Sequence, residues 1–183
     1  MNNNHRPIYA FIDASNIIYG TVTRDGEDWK LDFEKLYQYL QERYQVEKIF
    51  YFGGLDEKNI KQQKFYTKLD EMGYITVLKP VIYHKQSNGQ VRRKANCDVD
   101  LTFYAMRTLG QYSGMILMSG DGDFCILLEY LLEKNRTVRV IANTQKTARN
   151  IKQLVGAHFT DINHLKRKLE YKIKRTHRGV NPL

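Results

Sequence analysis

The sequence predicts an α/β protein with a mainly parallel central β-sheet and helices on both of its faces. Short apolar segments rich in β-branched and aromatic residues alternate along the chain with segments of helical periodicity. Such alternation is typical of a parallel sheet that is covered on both sides. The 183 residues are enough for one compact domain, and a hydrophobic content of 42% excludes a disordered chain.

Three strands and two helices are predicted in the first half of the chain. The predicted strands are residues 7–13, 46–54 and 74–80, and the predicted helices are residues 31–44 and 57–73. Asp32 is placed to cap the first helix, and Gly73 is a typical C-terminal signal for the second. Gly53 and Gly54 are expected to stop the second strand.

A polar hairpin is predicted at residues 81–94, because Asn88-Gly89 is a strong turn signal between two polar arms. We expect it to lie outside the main sheet. The alternation then resumes. The predicted helices are residues 98–110, 123–133 and 147–156, and the predicted strands are residues 114–118 and 136–142. The segment GMILM at 114–118 is expected to be the most deeply buried strand.

The C-terminal segment carries most of the positive charge. The formal net charge is +9, from 29 Lys and Arg residues against 20 Asp and Glu residues. Residues 164–183 hold seven basic residues and one acidic residue, a net +6, which leaves +3 for residues 1–163. We therefore divide the chain into a domain at 1–163 and a basic tail at 164–183, predicted to be helical with Leu165, Leu169 and Ile173 on one face. Its charge indicates a polyanionic partner such as nucleic acid, or else a solvated helix that aids solubility.

The composition excludes membrane-spanning, secreted and disulfide-stabilised proteins. No apolar run approaches the roughly 20 residues that span a bilayer, and the N-terminus lacks the apolar core of a secretory signal. We expect a cytoplasmic protein without a membrane partner. The two cysteines, Cys97 and Cys125, are too few for a disulfide framework and are expected to be small buried hydrophobes.

Acidic side chains lie at the ends of three predicted elements. Asp13 ends the first strand, Asp121 and Asp123 follow the buried strand in the segment SGDGDF, and Asp98 opens a helix. Ligands bind at the carboxyl ends of parallel strands. Unpaired carboxylates repel one another, and a hard cation such as Mg²⁺ or Mn²⁺ relieves that repulsion. We therefore predict a metal site in which the glycine between Asp121 and Asp123 lets the turn bring both side chains around one ion.

Helix capping is the alternative role for these side chains, since aspartate is a preferred N-cap residue. Asp98, Asp121 or Asp123 could each be a helix N-cap, and for any one of them taken alone capping is the favoured role. Asp100 is expected to point away from Asp98, because it lies only two residues farther along the same helix.

Three segments, FIDASNI, CDVDLTFYAM and LMSGDGDFCILLEYLLEKNRTVRVIA, resemble in the same order the acidic motifs of NYN-domain proteins, the branch of the PIN-like nuclease superfamily that includes the LabA-like proteins. The resemblance covers residues 7–162 and implies a PIN-like three-layer α/β/α sandwich. It also implies a metal-dependent ribonuclease site carried by Asp13, Asp98, Asp121, Asp123 and Asn16, with products that end in a 5′-phosphate and a 3′-hydroxyl. Family members often have an acidic residue near the last strand, where this chain has Ala157 or His158.

The favoured function is hydrolysis of RNA phosphodiester bonds with Mg²⁺ or Mn²⁺. An acidic site repels RNA, so cations are required nearby. The predicted nucleic-acid contacts are Arg92, Arg93, Lys94, Lys166, Arg167 and Lys168. Asn16 and Ser119 are expected to position a carboxylate or a phosphate by hydrogen bonding. For Tyr171, packing against the body is favoured over base stacking.

Two other functions are considered. The first is a non-catalytic RNA-binding or scaffold protein with the same fold, which the basic tail favours. The second is a phosphatase or nucleotide-transfer enzyme with Asp13 as a covalent nucleophile. Such enzymes commonly have a second aspartate two residues later, where this chain has Ser15, and the chain also lacks a P-loop string. The oligomeric state stays open, with a homodimer as one option.

Overall fold

The structure, a computed structural model, describes residues 7–21, 29–85 and 91–172, and for Tyr19, Gly20 and residues 83–85 and 91–94 it describes the backbone alone. The strands are β1 (Ile8–Asp13), β2 (Val46–Leu55), β3 (Tyr74–Pro80), β4 (Ile82–Lys85), β5 (Val91–Lys94), β6 (Gly114–Met118), β7 (Thr137–Ala142) and β8 (Phe159–Asp161). The α-helices are α1 (Ala14–Gly20), α2 (Phe33–Tyr44), α3 (Ile60–Glu71), α4 (Asp98–Arg107), α5 (Cys125–Glu133), α6 (Arg149–Val155) and α7 (Lys166–Leu169).

Six strands form one parallel sheet in the described part of the chain, in the order β3-β2-β1-β6-β7-β8. Because they run in the same direction, their carboxyl ends all lie at one edge. β1 and β6 are central neighbours, with Ile12 opposite Met118. β4 and β5 pair with each other as an antiparallel hairpin outside this sheet, as predicted.

Helices cover both faces of the sheet, which confirms the predicted three-layer α/β/α sandwich. One face carries α4, α5 and α6 over a core that contains Phe11, Leu117 and Leu128. The other carries α1, α2, α3 and α7 over a core that contains Ile12 and Leu36. Phe11 and Ile12 are successive residues of β1, and their side chains point to opposite faces of the sheet, as the two-residue period of a strand requires. The five core residues named here are all fully buried.

The second strand is longer than predicted. β2 continues through Gly53 and Gly54 to Leu55, and both glycines pair with β3. A Cβ on Gly54 would lie 2.6 Å from the Cβ of Ala95. The glycine therefore lets the segment after the hairpin approach β2 closely, and the prediction that it stops the strand is wrong.

Two short elements are missing from the sequence prediction. α1 begins directly after β1 because the Asp13 side chain accepts hydrogen bonds from the N–H groups of Ser15 and Asn16. β8 has only three residues, too few for an alternating pattern to be recognised. The other predicted strands and helices are present with ends shifted by a few residues, and Asp32 caps α2 as predicted.

The basic tail is helical over a shorter span than predicted. α7 ends at Leu169, and the chain then becomes extended and pairs with the segment before α2 through the Leu31–Glu170 bridge. The N–H of Asp32 donates to the carbonyl of Leu169 at 2.8 Å. Leu165 and Leu169 are buried in the core beneath α2. This pairing with an earlier segment ends the helix, although the apolar spacing of the tail would allow it to continue.

The Tyr171 side chain also differs from its prediction. Its backbone N–H donates to the carbonyl of Lys30 at 2.8 Å, yet its side chain is 56% exposed. The predicted packing of the ring against the body is therefore wrong. Ile173, the third residue of the predicted apolar face, lies outside the described residues, and the division of the chain at residue 163 stays a prediction.

The two cysteines differ in their burial. Cys97 is buried, as predicted, but Cys125 is only half-buried, with its thiol 3.6 Å from the carboxylate of Glu129. Both cysteines are free.

Over the described ranges, no helix combines the length and the apolar character that a membrane crossing needs.

Candidate active site

The candidate site lies where β1 and β6 end. The two strands are neighbours, so Asp13, the last residue of β1, lies beside the segment that follows Met118. The Asp13 side chain is buried, with only 6% of the residue exposed. A buried carboxylate is stable only when hydrogen bonds or charges compensate for lost hydration. The donors around Asp13 therefore decide what this side chain does.

The Asp13 carboxylate joins the ends of the two strands. Its Oδ1 accepts from the Ser15 hydroxyl at 2.7 Å and from the N–H groups of Ser15 and Asn16 at 3.1 and 3.3 Å. Its Oδ2 accepts from the Ser119 hydroxyl at 3.0 Å. Asn16 adds a second link, because its Oδ1 accepts from the N–H of Gly120 at 2.9 Å. Asp13 and Asn16 thus hold the SGDGDF loop against the end of β1.

The loop after β6 turns into a short 3-10 helix, Gly122–Phe124, that Asp121 caps. The Asp121 Oδ1 accepts from the N–H of Asp123 at 3.0 Å, so the capping alternative is correct for Asp121. The N–H of Asp121 in turn donates to the Ser119 hydroxyl at 3.2 Å. Ser119 therefore connects the buried Asp13 to the exposed turn.

The glycines of this loop provide room for a neighbouring segment. The turn brings the side chains of Asp121 and Asp123 together as predicted. Gly122 is not among the described glycines with positive φ, so this approach does not depend on a backbone conformation that favours glycine. A Cβ on Gly122 would lie 3.1 Å from the Cβ of Ala148, and one on Gly120 would lie 2.9 Å from the Cα of Thr147. Larger residues would push this loop away from the segment that precedes α6.

Asp98 comes from a different part of the chain, the first residue of α4. Its N–H donates to the Asn96 side chain at 3.0 Å, and Cys97 occupies the N-cap position. Asp98 is therefore not the cap of α4, contrary to the capping alternative. Cys97 is buried against the sheet, which places Asp98 at the same edge as the ends of β1 and β6.

Three of the four predicted metal ligands come together in the structure. Asp98, Asp121 and Asp123 each offer a carboxylate oxygen, and these oxygens lie within 4.8 Å of one another. We call these three residues the aspartate trio. Asp13 is not a member of it, because its oxygens are directed to Ser119 and to the start of α1.

A groove of about 860 Å³ connects the aspartate trio with Asp13. Asp13, Asp98 and Asp121 all contribute to its walls, so the buried carboxylate and two members of the trio face one common space. Asp100 lies apart from the trio, and its Oδ2 accepts from the Lys79 ammonium at 2.8 Å. This agrees with the expectation that Asp100 does not share an ion with Asp98.

The electrostatics of the site centre on Asp98. Burial raises the pKa of the Asp98 carboxyl above its ordinary value, and the carboxylates of Asp13, Asp121 and Asp123 raise it further, whereas the hydrogen bond with Asn96 lowers it. The ionised form of Asp98 is therefore disfavoured in the folded protein. A cation placed among these carboxylates would remove the repulsion.

This repulsion predicts that Asp98→Asn stabilises the metal-free protein relative to Asp100→Asn. Both residues lie in the first turn of α4, so both variants lose the same favourable interaction with the helix end, but only Asp98→Asn relieves like-charge repulsion. Asp100→Asn also removes the ion pair with Lys79, which is exposed and therefore has a small effect. At pH 7 in EDTA, the melting temperature of Asp98→Asn should be higher by about 3 °C, as thermal unfolding would show.

The pH dependence of that difference has a definite sign. Because the pKa of Asp98 is raised in the folded state, its ionisation removes stability as the pH rises through that pKa. The difference between the two variants should therefore shrink at acidic pH, where the Asp98 carboxyl that remains in Asp100→Asn is protonated and no longer repelled. An equal or lower melting temperature for Asp98→Asn at pH 7 would contradict the repulsion.

The structure describes the side chains of three of the six predicted nucleic-acid contacts. Arg92, Arg93 and Lys94 belong to β5, and their side chains lie outside the described residues. Lys166, Arg167 and Lys168 form the start of α7, which follows β8 at the same edge of the sheet as the trio. Arg167 and Lys168 are exposed, and the Lys168 ammonium lies 5.9 Å from the centre of the Tyr39 ring.

The structure adds groove residues that the sequence did not single out. They come from α3, the end of β2 and the base of the hairpin, and among them are Asn59, Lys61, Gln62, Phe65 and Tyr66. The only sequence signal among them is the position of Asn59 at the start of a predicted helix. Their contribution to the groove depends on strand order, which no local pattern reveals.

The last strand also ends in an acidic residue. Asp161 closes β8, and its side chain accepts from the N–H of Asn163 at 3.0 Å. It lines a separate cavity of about 580 Å³ and is not a member of the trio. Ala157 and His158, the positions at which the resemblance leads us to expect an acidic residue in family members, are exposed in a 3-10 turn before β8.

Comparison with known proteins agrees with the motifs and the fold. A family model described as NYN domain matches residues 7–163. The low amplitude and bright protein LabA of Synechococcus elongatus is 27% identical over an alignment of 164 positions, and the match covers 87% of this chain and 86% of LabA. A crystal structure of a Vibrio parahaemolyticus protein of unknown function has a TM-score of 0.73 at 22% identity, covers 93% of this chain and 100% of its own, and supports the fold alone. Because the family model spans most of the sequence, this chain belongs to the NYN-domain family.

Proposed function

We propose that this protein is a metal-dependent endoribonuclease that hydrolyses RNA phosphodiester bonds. The observation that carries the proposal is the aspartate trio, three carboxylates from two separate elements with oxygens within 4.8 Å of one another. NYN domains are typically nucleases, and the match over residues 7–163 supports the same activity.

The chemistry of the trio fits a divalent cation of the Mg²⁺ or Mn²⁺ class. Both ions prefer hard oxygen donors, and three carboxylates supply enough negative charge to displace part of the hydration shell. The oxygens of the trio lie within 4.8 Å of one another, so small side-chain rotations would let these three residues hold one ion. A divalent ion at this position supplies Lewis acidity, which activates a water molecule and neutralises charge on the phosphate.

The residues around the trio divide into ligands and positioning residues. We assign Asp98, Asp121 and Asp123 as ligands. Within the described ranges the Asp13 Oδ2 accepts from Ser119 alone, so its remaining lone pairs can bind an ion while Asp13 orients the loop. Asn16 and Ser119 act through their hydrogen bonds to the loop and to Asp13, and they keep the carboxylates in place.

RNA is the proposed substrate, and the basic residues of β5 and α7 are the proposed contacts with its phosphates. The alternative, an RNA-binding or scaffold protein that does not cleave, is favoured by the same basic tail. The two functions share a fold and differ in whether the trio takes part in chemistry. An assay that records binding and cleavage in one sample separates them.

The test uses end-labelled single-stranded RNA with the full chain in Mg²⁺, in Mn²⁺ and in EDTA. We expect cleavage only with a divalent ion, and products with a 5′-phosphate and a 3′-hydroxyl. Asp121→Asn, purified in parallel, controls for contaminating nucleases. Binding without cleavage in either metal would favour the scaffold, and cleavage of DNA of the same sequence at equal rate would contradict RNA as the specific substrate.

A further inference from the structure

The groove extends beyond the aspartate trio into a second region that the proposed chemistry does not use. This region lies between α1, the start of α3 and the base of the hairpin. We call it the side arm, and its lining residues are Ile18, Asn59, Lys61, Gln62, Phe65 and Tyr66. Its position next to the trio means that a chain bound at the trio would also contact the side arm.

Internal hydrogen bonds hold the polar walls of the side arm. The Tyr66 hydroxyl donates to the carbonyl of Gly54 at 2.6 Å, and the Gln62 amide donates to the same carbonyl at 2.9 Å. The Gln62 Oε1 accepts from the N–H of Asp56 at 2.7 Å. These groups are already satisfied, so they form a preorganised wall and add little polar recognition of their own.

Apolar side chains provide the contact surface of the side arm. Ile18 is 52% exposed although it lines the groove, and Phe65 is half-buried. The Phe65 ring is held edge-on against Phe33 and Tyr51, with ring centres 5.2 and 6.1 Å apart. A ring fixed in this way, in a groove that also exposes an aliphatic side chain, suits a flat apolar ligand such as a nucleobase.

Lys61 supplies the positive charge of the side arm. Among the described residues, the Lys61 ammonium has neither an ion pair nor a hydrogen bond, whereas the Lys79 ammonium is neutralised by Asp100. The walls of the groove therefore carry carboxylates and also an uncompensated cation. A ligand that presents one phosphate to the trio and a second one farther along matches this distribution of charge.

We propose that the side arm binds the nucleotide next to the scissile phosphate of single-stranded RNA, with its base against Phe65 and Ile18 and its phosphate near Lys61. This inference rests on the proposed ribonuclease function. A base in a duplex is paired and stacked on its neighbours, so it cannot enter such an arm without opening the helix. The side arm is thus a determinant of single-strand preference.

The test measures RNA affinity by fluorescence anisotropy, with every variant combined with Asp121→Asn and kept in EDTA so that no RNA is cut. Lys61→Ala should weaken binding of short single-stranded RNA about fivefold and reduce the salt slope by about 0.7. Lys64→Ala is the matched control, because Lys64 is exposed on the same helix but does not line the groove, and it should leave affinity unchanged. Phe65→Leu should weaken binding about tenfold without altering the salt slope.

Duplex RNA and thermal unfolding complete the experiment. Lys61→Ala and Phe65→Leu should both leave the affinity for duplex RNA unchanged. A melting temperature equal to that of the Asp121→Asn parent shows that a variant is folded. Equal losses for Lys61→Ala and Lys64→Ala, or equal losses on duplex RNA, would overturn the side arm. If the wild type cleaves RNA but Lys61→Ala shows no selective loss of single-strand affinity, the side arm is rejected and the nuclease proposal stands. If Lys61→Ala selectively loses single-strand affinity but the wild type does not cleave RNA in Mn²⁺, the side arm is supported and the nuclease proposal is rejected.

Discussion

Asp98→Asn, Asp121→Asn and Asp123→Asn are each expected to lower the rate of RNA cleavage by about a thousandfold or more. Each substitution removes one of three anionic donors whose oxygens lie within 4.8 Å of one another. A thousandfold loss corresponds to about 4 kcal/mol of transition-state stabilisation, a reasonable share for a residue that holds the catalytic ion. Single-turnover cleavage in Mn²⁺ measures the rate, and isothermal titration calorimetry should show Mn²⁺ affinity falling in parallel.

Asp100→Asn is the control for this series. It removes a carboxylate from the same turn of α4 as Asp98, but that carboxylate pairs with Lys79 and lies outside the trio. Its cleavage rate should stay within about threefold of the wild-type rate, since the loss of an exposed ion pair has a small effect. Wild-type rates in all three trio variants would show that the catalytic centre is elsewhere.

Asp13→Ala is expected to lower the free energy of unfolding by about 3 kcal/mol as well as abolishing cleavage. The substitution removes the acceptor for the hydroxyls of Ser15 and Ser119 and for two backbone N–H groups at the start of α1. Donors left without partners at a buried position account for the loss, which equals roughly 6–12 °C in melting temperature. Denaturant titration in EDTA measures this effect without interference from metal binding.

Asp13→Asn separates the structural role of Asp13 from its role in catalysis. The amide oxygen can still accept from Ser15 and Asn16, so the fold should persist with a smaller loss of stability than in Asp13→Ala. Cleavage should still be abolished, because the negative charge beside Ser119 is gone. If Asp13→Asn cuts RNA at the wild-type rate, Asp13 serves the fold alone.

The sequence predicted most of the sheet because its central strands, such as β1 and β6, are buried on both faces. GMILM, for example, contains only apolar residues and glycine, and all five are buried in β6, so a short apolar run was a sufficient signal. Prediction failed where an element depends on a distant partner. β2 passes through Gly53 and Gly54 because β3 pairs with them, and α7 stops at Leu169 because the chain pairs with the segment before α2.

Local apolar patterns and turn signals were sufficient to predict which carboxylates lie at strand and helix ends. How the aspartates are used depends on contacts between distant parts of the chain. Asp13 is directed toward Ser119, 106 residues away, and Asp100 toward Lys79, 21 residues away, while Asp98 joins Asp121 and Asp123. The physical reason is that β1 lies beside β6 and α4 begins at their common edge, and this strand order arises from packing the whole chain into one core.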